Sequence, residues 1–466
     1  LFLTAMAQTK QRPTLDDLMW GGTNYWNLQP PSVQTTWWGD ALVQTNVNDV
    51  RMILDAKGKK LGTDGQVLFD LSALNSVLDT ARYGKVHNLI GTTFPEGTKT
   101  IAKITLAKAI VAYDWKQKAI VWTLPLQRGI GHQDFCNASR SLAFTKDYNL
   151  FVTTSDGRTH QVSTDGSREL LYGTSVHRDE FGIHKGTFWS PQGDQLAFYR
   201  MDQSMVTDYP QVNTLVTPEV RIAQPDPDKY PMAGMAMHKV TVGIFSPATD
   251  RTVWLELGDV TDRYFTNLSW SPDGKTLYIM EVPRSQKRCD LVAYDVNTGK
   301  RLKTLYTETN ERFVEPQNPL TFLPWDDHKF IYQSERDGFN HLYLFDTNGK
   351  MLRQLTQGKF EVLDLLGFNT AKRSIIVRTN ESGHIRENLY AVDFKTGRRT
   401  LLDNGVGLHR ASLSENGRYL RDTWSTPTDY RHIDIKSTEK KQTLSSLLNA
   451  ENPWRTFPMP EVENGS

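Results

Sequence analysis

Leu291-Val292-Ala293-Tyr294-Asp295-Val296-Asn297-Thr298-Gly299-Lys300 is a short apolar run closed by an Asp-x-x-x-Gly turn. The same pattern returns at Leu342-Tyr343-Leu344-Phe345-Asp346-Thr347-Asn348-Gly349-Lys350. It returns again at Leu389-Tyr390-Ala391-Val392-Asp393-Phe394-Lys395-Thr396-Gly397-Arg398. The three aspartates are 51 and 47 residues apart. A repeat of that length, with room for about four strands, is the mark of propeller blades. Weaker copies lie at Tyr113-Asp114, at Asp156-Gly157 and before Asp434. A second turn, Ser-Pro-x-Gly, occurs at Ser190 to Gly193 and Ser271 to Gly274, with Glu415-Asn416-Gly417 in the matching place later. There Pro presets the turn and Gly accepts positive φ. Dividing residues 35–450 by a period of roughly 50 predicts an all-β fold of about eight blades.

The totals agree. Aromatic residues make up 11% of 466, which suits strand-rich cores. Mean hydropathy is −0.50 and no apolar run is long enough to span a bilayer as a helix. With 54 basic and 53 acidic residues, the chain lacks the basic excess of nucleic-acid binders. Two cysteines, Cys136 and Cys289, offer neither a disulfide framework nor a Cys-based zinc site. They read as buried thiols, with one long-range disulfide the alternative. Leu1 to Gln8 resembles the end of a signal peptide, with Ala5 and Ala7 in the small-residue cleavage pattern. The expected organisation is a signal-peptide remnant at 1–7, a tail at 8–34, the propeller at 35–450 and a linker at 451–466. The protein is therefore expected to be exported, secreted or periplasmic.

Two stretches break the rhythm, and together they stretch the Trp189-to-Trp270 spacing to 81 residues. One is the Pro-bearing segment from Met201 to Met237. The other is His177-Arg178-Asp179-Glu180-Phe181-Gly182, between the strand pairs at 148–162 and 194–200. Adjacent residues of a strand point to opposite faces, so Asp179 and Glu180 can converge on one ligand only from a helical turn or loop. A substrate ammonium has three donors for two such carboxylates. An exposed acidic turn is the plainer alternative. Two acids so close repel each other unless a cation, or Arg178, compensates. No G-x-S-x-G elbow, P-loop, G-x-G-x-x-G or H-E-x-x-H motif is present. No catalytic residue, metal ligand or cofactor site is therefore assigned. The histidines, His177 and His184 among them, read as surface or satisfied polar groups.

Val176-His177-Arg178-Asp179-Glu180-Phe181-Gly182, with Lys185 to Pro191, resembles the N-terminal propeller of dipeptidyl peptidase IV-like serine peptidases, in the prolyl oligopeptidase family. Phe198 to Asp202, Tyr230 to Gly234, Ser334-Glu335-Arg336-Asp337-Gly338-Phe339-Asn340-His341-Leu342-Tyr343 and Leu355 to Val362 extend the resemblance. It implies an eight-bladed propeller that caps an α/β-hydrolase domain, gates substrates and holds their free N-terminus, with dipeptides released, commonly after proline. Asp179 and Glu180 match the family's acidic pair, which the resemblance places on a short helical insertion in the propeller. Asp179 is one methylene shorter than the usual Glu, which keeps a tripeptidyl-releasing relative open. The family's carbonyl-binding Arg has only Lys103 near its place, ten residues before Tyr113-Asp114. No residues here match the catalytic triad, so these 466 residues are not expected to be active alone. The implied partners are peptides with a free N-terminus, the chain's own hydrolase domain and, in some assemblies, a second copy in a homodimer. No nucleic acid and no integral membrane segment is expected. A non-catalytic binding propeller is the reading from a different class.

Overall fold

The computed structural model describes residues 12–215, 217, 219–455 and 457, so the expected leader remnant and most of the expected exit linker lie outside the described residues. The fold is an eight-bladed β-propeller, all-β apart from a few short helices. Sequence neighbours pair in each blade, as in the fifth, which runs Arg263–Trp270, Thr276–Pro283, Arg288–Asp295 and Arg301–Thr309.

Both repeats map to fixed places in the blade. Arg288–Asp295, His341–Asp346 and Asn388–Asp393 are the third strands of blades five, six and seven. Each closing aspartate accepts from the backbone of its turn: Asp295 from Thr298 N at 2.8 Å, Asp346 from Lys350 N at 2.9 Å, Asp393 from Thr396 N at 2.7 Å. The Ser-Pro-x-Gly turns instead join first strands to second, where Ser190 Oγ and Ser271 Oγ accept from Gln195 N and Thr276 N. Asp434 departs from this pattern. It lies inside the strand Arg431–Ser437 and accepts from Trp424 Nε1 at 2.9 Å, so it ends nothing. A tryptophan on the neighbouring strand has claimed the carboxylate that a turn would have used.

The chain forms two compact units. Residues 103–358, with 77–85, carry the second to sixth blades apart from Ile101 and Ala102. Their largest apolar cluster includes Val176, Tyr199, Val242, Phe265, Ile279 and Tyr294. The other unit carries the first, seventh and eighth blades. Here the two ends of the repeat meet: Trp37 Nε1 donates to Ser412 Oγ at 3.2 Å, and Asp40 accepts from Asn416 N at 3.1 Å. Leu42 and Leu54 pack with Ile435. Before Thr35, a helix at Leu15–Leu18 is capped by Thr14 and Asp17. Cys136 and Cys289 are buried, free thiols.

The segment after Met201 is a continuation of the fourth blade. Leu196–Asp202 pairs with Lys239–Ser246, and the chain between them adds two ribbons. One pairs Asp208–Tyr209 with Asp228–Lys229, the other Val212–Asn213 with Gln224–Pro225.

Gly299 gives a direct test of the turn assignment. Its φ is +75°, and a Cβ there would sit 2.2 Å from the Trp254 carbonyl oxygen. Gly338 has φ +96° with open space around it. Gly338→Ala is expected to cost about 1 kcal/mol from backbone strain alone, and Gly299→Ala clearly more, because the Trp254 backbone must move. Urea unfolding of the two variants compares them.

Candidate functional site

The acidic turn exists because one edge of the fourth blade is split. Leu170–Tyr172 and Thr187–Trp189 both pair with Leu196–Asp202, at opposite ends of it. The chain between them leaves and returns at a single residue. Gly173 N donates to Tyr199 O, and Tyr199 N donates to Gly186 O, each at 2.9 Å. A Cβ on Gly186 would lie 2.0 Å from the Thr174 carbonyl oxygen, so the neck closes only with glycine there. Thr174 to Lys185 therefore projects as a loop from a fixed base.

The expected helical insertion is a six-residue 3-10 segment, His177–Gly182, but most of it is not right-handed. His177, Arg178, Asp179 and Phe181 have φ of 55°, 58°, 62° and 58°. For residues with a Cβ this conformation costs roughly 1–2 kcal/mol each, and it persists only where surroundings impose it. Two buried anchors do so. His177 accepts from Phe265 N at Nε2, 3.0 Å away, and its Nδ1 lies 2.8 Å from His238 Nε2. Phe181 is buried, with its ring 5.0 Å from that of Tyr264. Between the anchors, Arg178, Asp179 and Glu180 are exposed. Fixing positions 177 and 181 inward leaves 179 and 180 no direction but outward.

The two acids differ. Asp179 Oδ1 accepts from Ser175 Oγ and lines a cleft of about 420 Å³ with Ser175, Arg178, His132, Gln203 and Asp228. Among the described residues, no hydrogen bond or ion pair engages the Glu180 carboxylate. Arg178, weighed above as the compensating cation, turns away from both. It donates to Asp228 Oδ2 at 2.6 Å and Lys229 O at 3.3 Å, and its guanidinium lies 4.7 Å from the centre of the Tyr230 ring. The turn is thus tied to the first ribbon of the insertion, and its own positive charge is spent there.

Burial sets the histidine chemistry. It holds His177 well below the usual imidazole range, helped by His238. His238 is pushed down to about 4 by burial and then by Arg178 and Arg284. Lys103, on Ile101–Thr105, is half-buried, which lowers its ammonium pKa. Its Nζ lies 4.3 Å from the centre of the Phe135 ring, and among the described residues no contact joins it to Asp179 or Glu180.

Comparison with known proteins follows from this geometry. The family model for the dipeptidyl peptidase IV N-terminal region matches residues 96–430. This chain belongs to that family. The match takes in the acidic turn, both ribbons and the three-fold strand-turn repeat. A solved Bacteroides ovatus protein assigned as dipeptidyl aminopeptidase IV is similar at 38% identity and a TM-score of 0.88, over 98% of this chain and 65% of that one. Porphyromonas gingivalis dipeptidyl peptidase 4 shares the fold at 23% identity and a TM-score of 0.74, covering 95% of this chain and 62% of its own. The "Probable dipeptidyl-aminopeptidase B" of Pyrenophora teres f. teres is 28% identical over 325 residues, 62% of this chain. The chain spans 35% of that fungal relative's length and 65% of the Bacteroides one. No helix among the described residues is long and apolar enough to cross a membrane.

Within this dipeptidyl peptidase IV propeller, sequence reasoning did not find Ser175, His238 or the Arg178–Asp228 pair. Asp228 and His238 lie 50 and 61 residues beyond their partners, across the insertion, and no local pattern links them. The geometry separates anchors from working groups. Asp179→Ala and Glu180→Ala are expected to shift stability by no more than about 0.5 kcal/mol, whereas Phe181→Ala should cost about 3–5 kcal/mol. Chemical denaturation of the three variants checks this.

Proposed function

We propose that this propeller captures the free N-terminus of peptide substrates, with Asp179 and Glu180 as its ammonium receptor, and gates access to a serine-type α/β-hydrolase domain that releases dipeptides. The observation that carries the reading is the strained turn itself. The chain accepts several kcal/mol of left-handed backbone to present two carboxylates to solvent. It also directs the Arg178 guanidinium, between His177 and the two acids, elsewhere. Strain of this kind is found where a side chain must be held in place for a task. Peptidase names among the relatives support the substrate class.

In this reading Glu180 is the principal partner of the ammonium, because it has no competing partner among the described residues. Asp179 is shorter and already accepts from Ser175, so it contributes a second, weaker bond and closes the site against longer N-termini less firmly. Preference for proline at the second position, and dipeptide over tripeptide release, belong to the same proposal and are read by mass spectrometry of the products. Lys103 is assigned as a donor to a substrate carbonyl. Its single ammonium replaces the fork that an arginine would supply. Export, and pairing with a second copy, complete the proposed setting.

The test is a comparison of peptide ends. For Ala-Pro-Ala amide with a free amine, Glu180→Gln should raise Kd or KM about tenfold or more and leave the fold unchanged, since it removes charge but keeps the shape. The N-acetylated peptide should bind poorly to both proteins. Equal binding of acetylated and free peptides by the wild type would overturn the reading in favour of a propeller that recognises something else.

A further inference from the structure

We infer that His177 and His238 are positioning residues, a neutral pair locked in one tautomeric arrangement that holds Asp179 and Glu180 in their receptor geometry and releases them on protonation. The inference rests on the ammonium-capture reading and deepens it.

The hydrogen-bond directions leave one arrangement. Phe265 N is an amide and can only donate, so His177 Nε2, 3.0 Å away, carries no proton. A neutral His177 must then carry its proton on Nδ1, which donates to His238 Nε2 at 2.8 Å. His238 Nε2 is therefore bare as well, and its own proton sits on Nδ1. Every polar ring atom facing inward is committed by a single backbone amide of the strand Arg263–Trp270.

An additional proton has no acceptor to meet. On His177 Nε2 it would face the Phe265 N–H, and on His238 Nε2 it would face the His177 Nδ1–H. Either placement sets two donors against each other in a buried site and breaks the chain of bonds that fixes residue 177. That residue sets the direction of the two acids that follow it.

The surrounding charges reinforce the neutral state. Arg178 approaches from the turn itself, and Arg284 from beyond the strand Thr276–Pro283, where it donates to Met235 O, Met232 O and Asp262. Lys229 and His132 line the same cleft, while Lys239 follows His238 on its strand and Tyr264 sets its ring against His177. The nearby acids are engaged elsewhere: Asp228 with Arg178, Asp262 with Arg284, Asp179 with Ser175. Among the described residues, no carboxylate contacts either ring to favour an imidazolium. Both histidines are depressed, His238 to about 4. A depressed histidine favours the ordered turn most fully above its free value near 6.5, and that contribution is lost as pH falls from there towards about 4.

The test uses the full chain, with Ala-Pro-Ala amide as ligand and its N-acetyl form as control. His238→Leu removes the acceptor for His177 Nδ1–H, whereas His238→Gln supplies an amide oxygen in its place. At pH 7 the Leu variant is expected to bind about tenfold more weakly, and the Gln variant within about threefold of wild type. Wild-type affinity should fall as pH drops from 6.5 towards about 4, where the peptide amine stays protonated, and the Gln variant, which keeps both acids, should fall less. Ring-nitrogen NMR of the wild type should show His177 with its proton on Nδ1, a readout that holds even if the Leu variant fails to fold. Unchanged affinity in both variants, or a His177 proton on Nε2, overturns the positioning role and leaves the ammonium reading standing. Indifference of the wild type to N-acetylation would remove both.

Discussion

Tyr199 is the residue on which the candidate site depends. Its amide and carbonyl both point to the strand edge on which Leu170–Tyr172 and Thr187–Trp189 are bonded in turn, and the loop between those strands is gathered onto this one residue. Because Tyr199 is buried in the main apolar cluster, the neck cannot drift without disturbing the blade. A loop sprung from a rigid base can carry strain that a free loop would relax. The left-handed run at 177–179 is therefore a consequence of the split edge before it is a feature of the acids.

What the amino-acid sequence discloses follows from the range of the interaction that fixes each element. The strand-turn repeat is plain at Asp295, Asp346 and Asp393 because each aspartate is satisfied within a few residues of itself. Such chemistry is written locally and can be read locally. Asp434 looks the same in the chain, but Trp424 on the adjacent strand takes its carboxylate, and only the paired strands reveal that. The acids at 179 and 180 are legible as an adjacent pair. Their outward direction is not, since it comes from His177 meeting Phe265 and His238, 88 and 61 residues away.

The handedness of the turn was equally hidden. Nothing in His177-Arg178-Asp179-Glu180-Phe181 announces positive φ, and in isolation these residues would prefer the right-handed or extended regions. Two buried side chains, spaced four apart and both held at the strand Arg263–Trp270, override that preference. Local propensity loses here to tertiary contact, and it loses where the Glu180 carboxylate is offered without a partner among the described residues.

That lack of a partner among the described residues has meaning when set beside Glu281, Glu308 and Glu387. Glu281 is buried between Arg263 and Arg301 and also accepts from Tyr294. Glu308 accepts from Ser334 and Arg336, and Glu387 takes both Arg378 and Arg410. The fold supplies cations freely where a carboxylate serves its own stability. At Glu180 it does the reverse, drawing Arg178 across to Asp228 and Tyr230 although that guanidinium is only two residues away in the chain. A carboxylate neutralised from within cannot bind an incoming ammonium, so the receptor reading requires this diversion. The diversion also ties the acids to the insertion, because the ribbon that takes Arg178 is the same one that leads back to His238. Charge, anchor and insertion thus form one mechanical unit, and a change in any of the three is felt at Glu180.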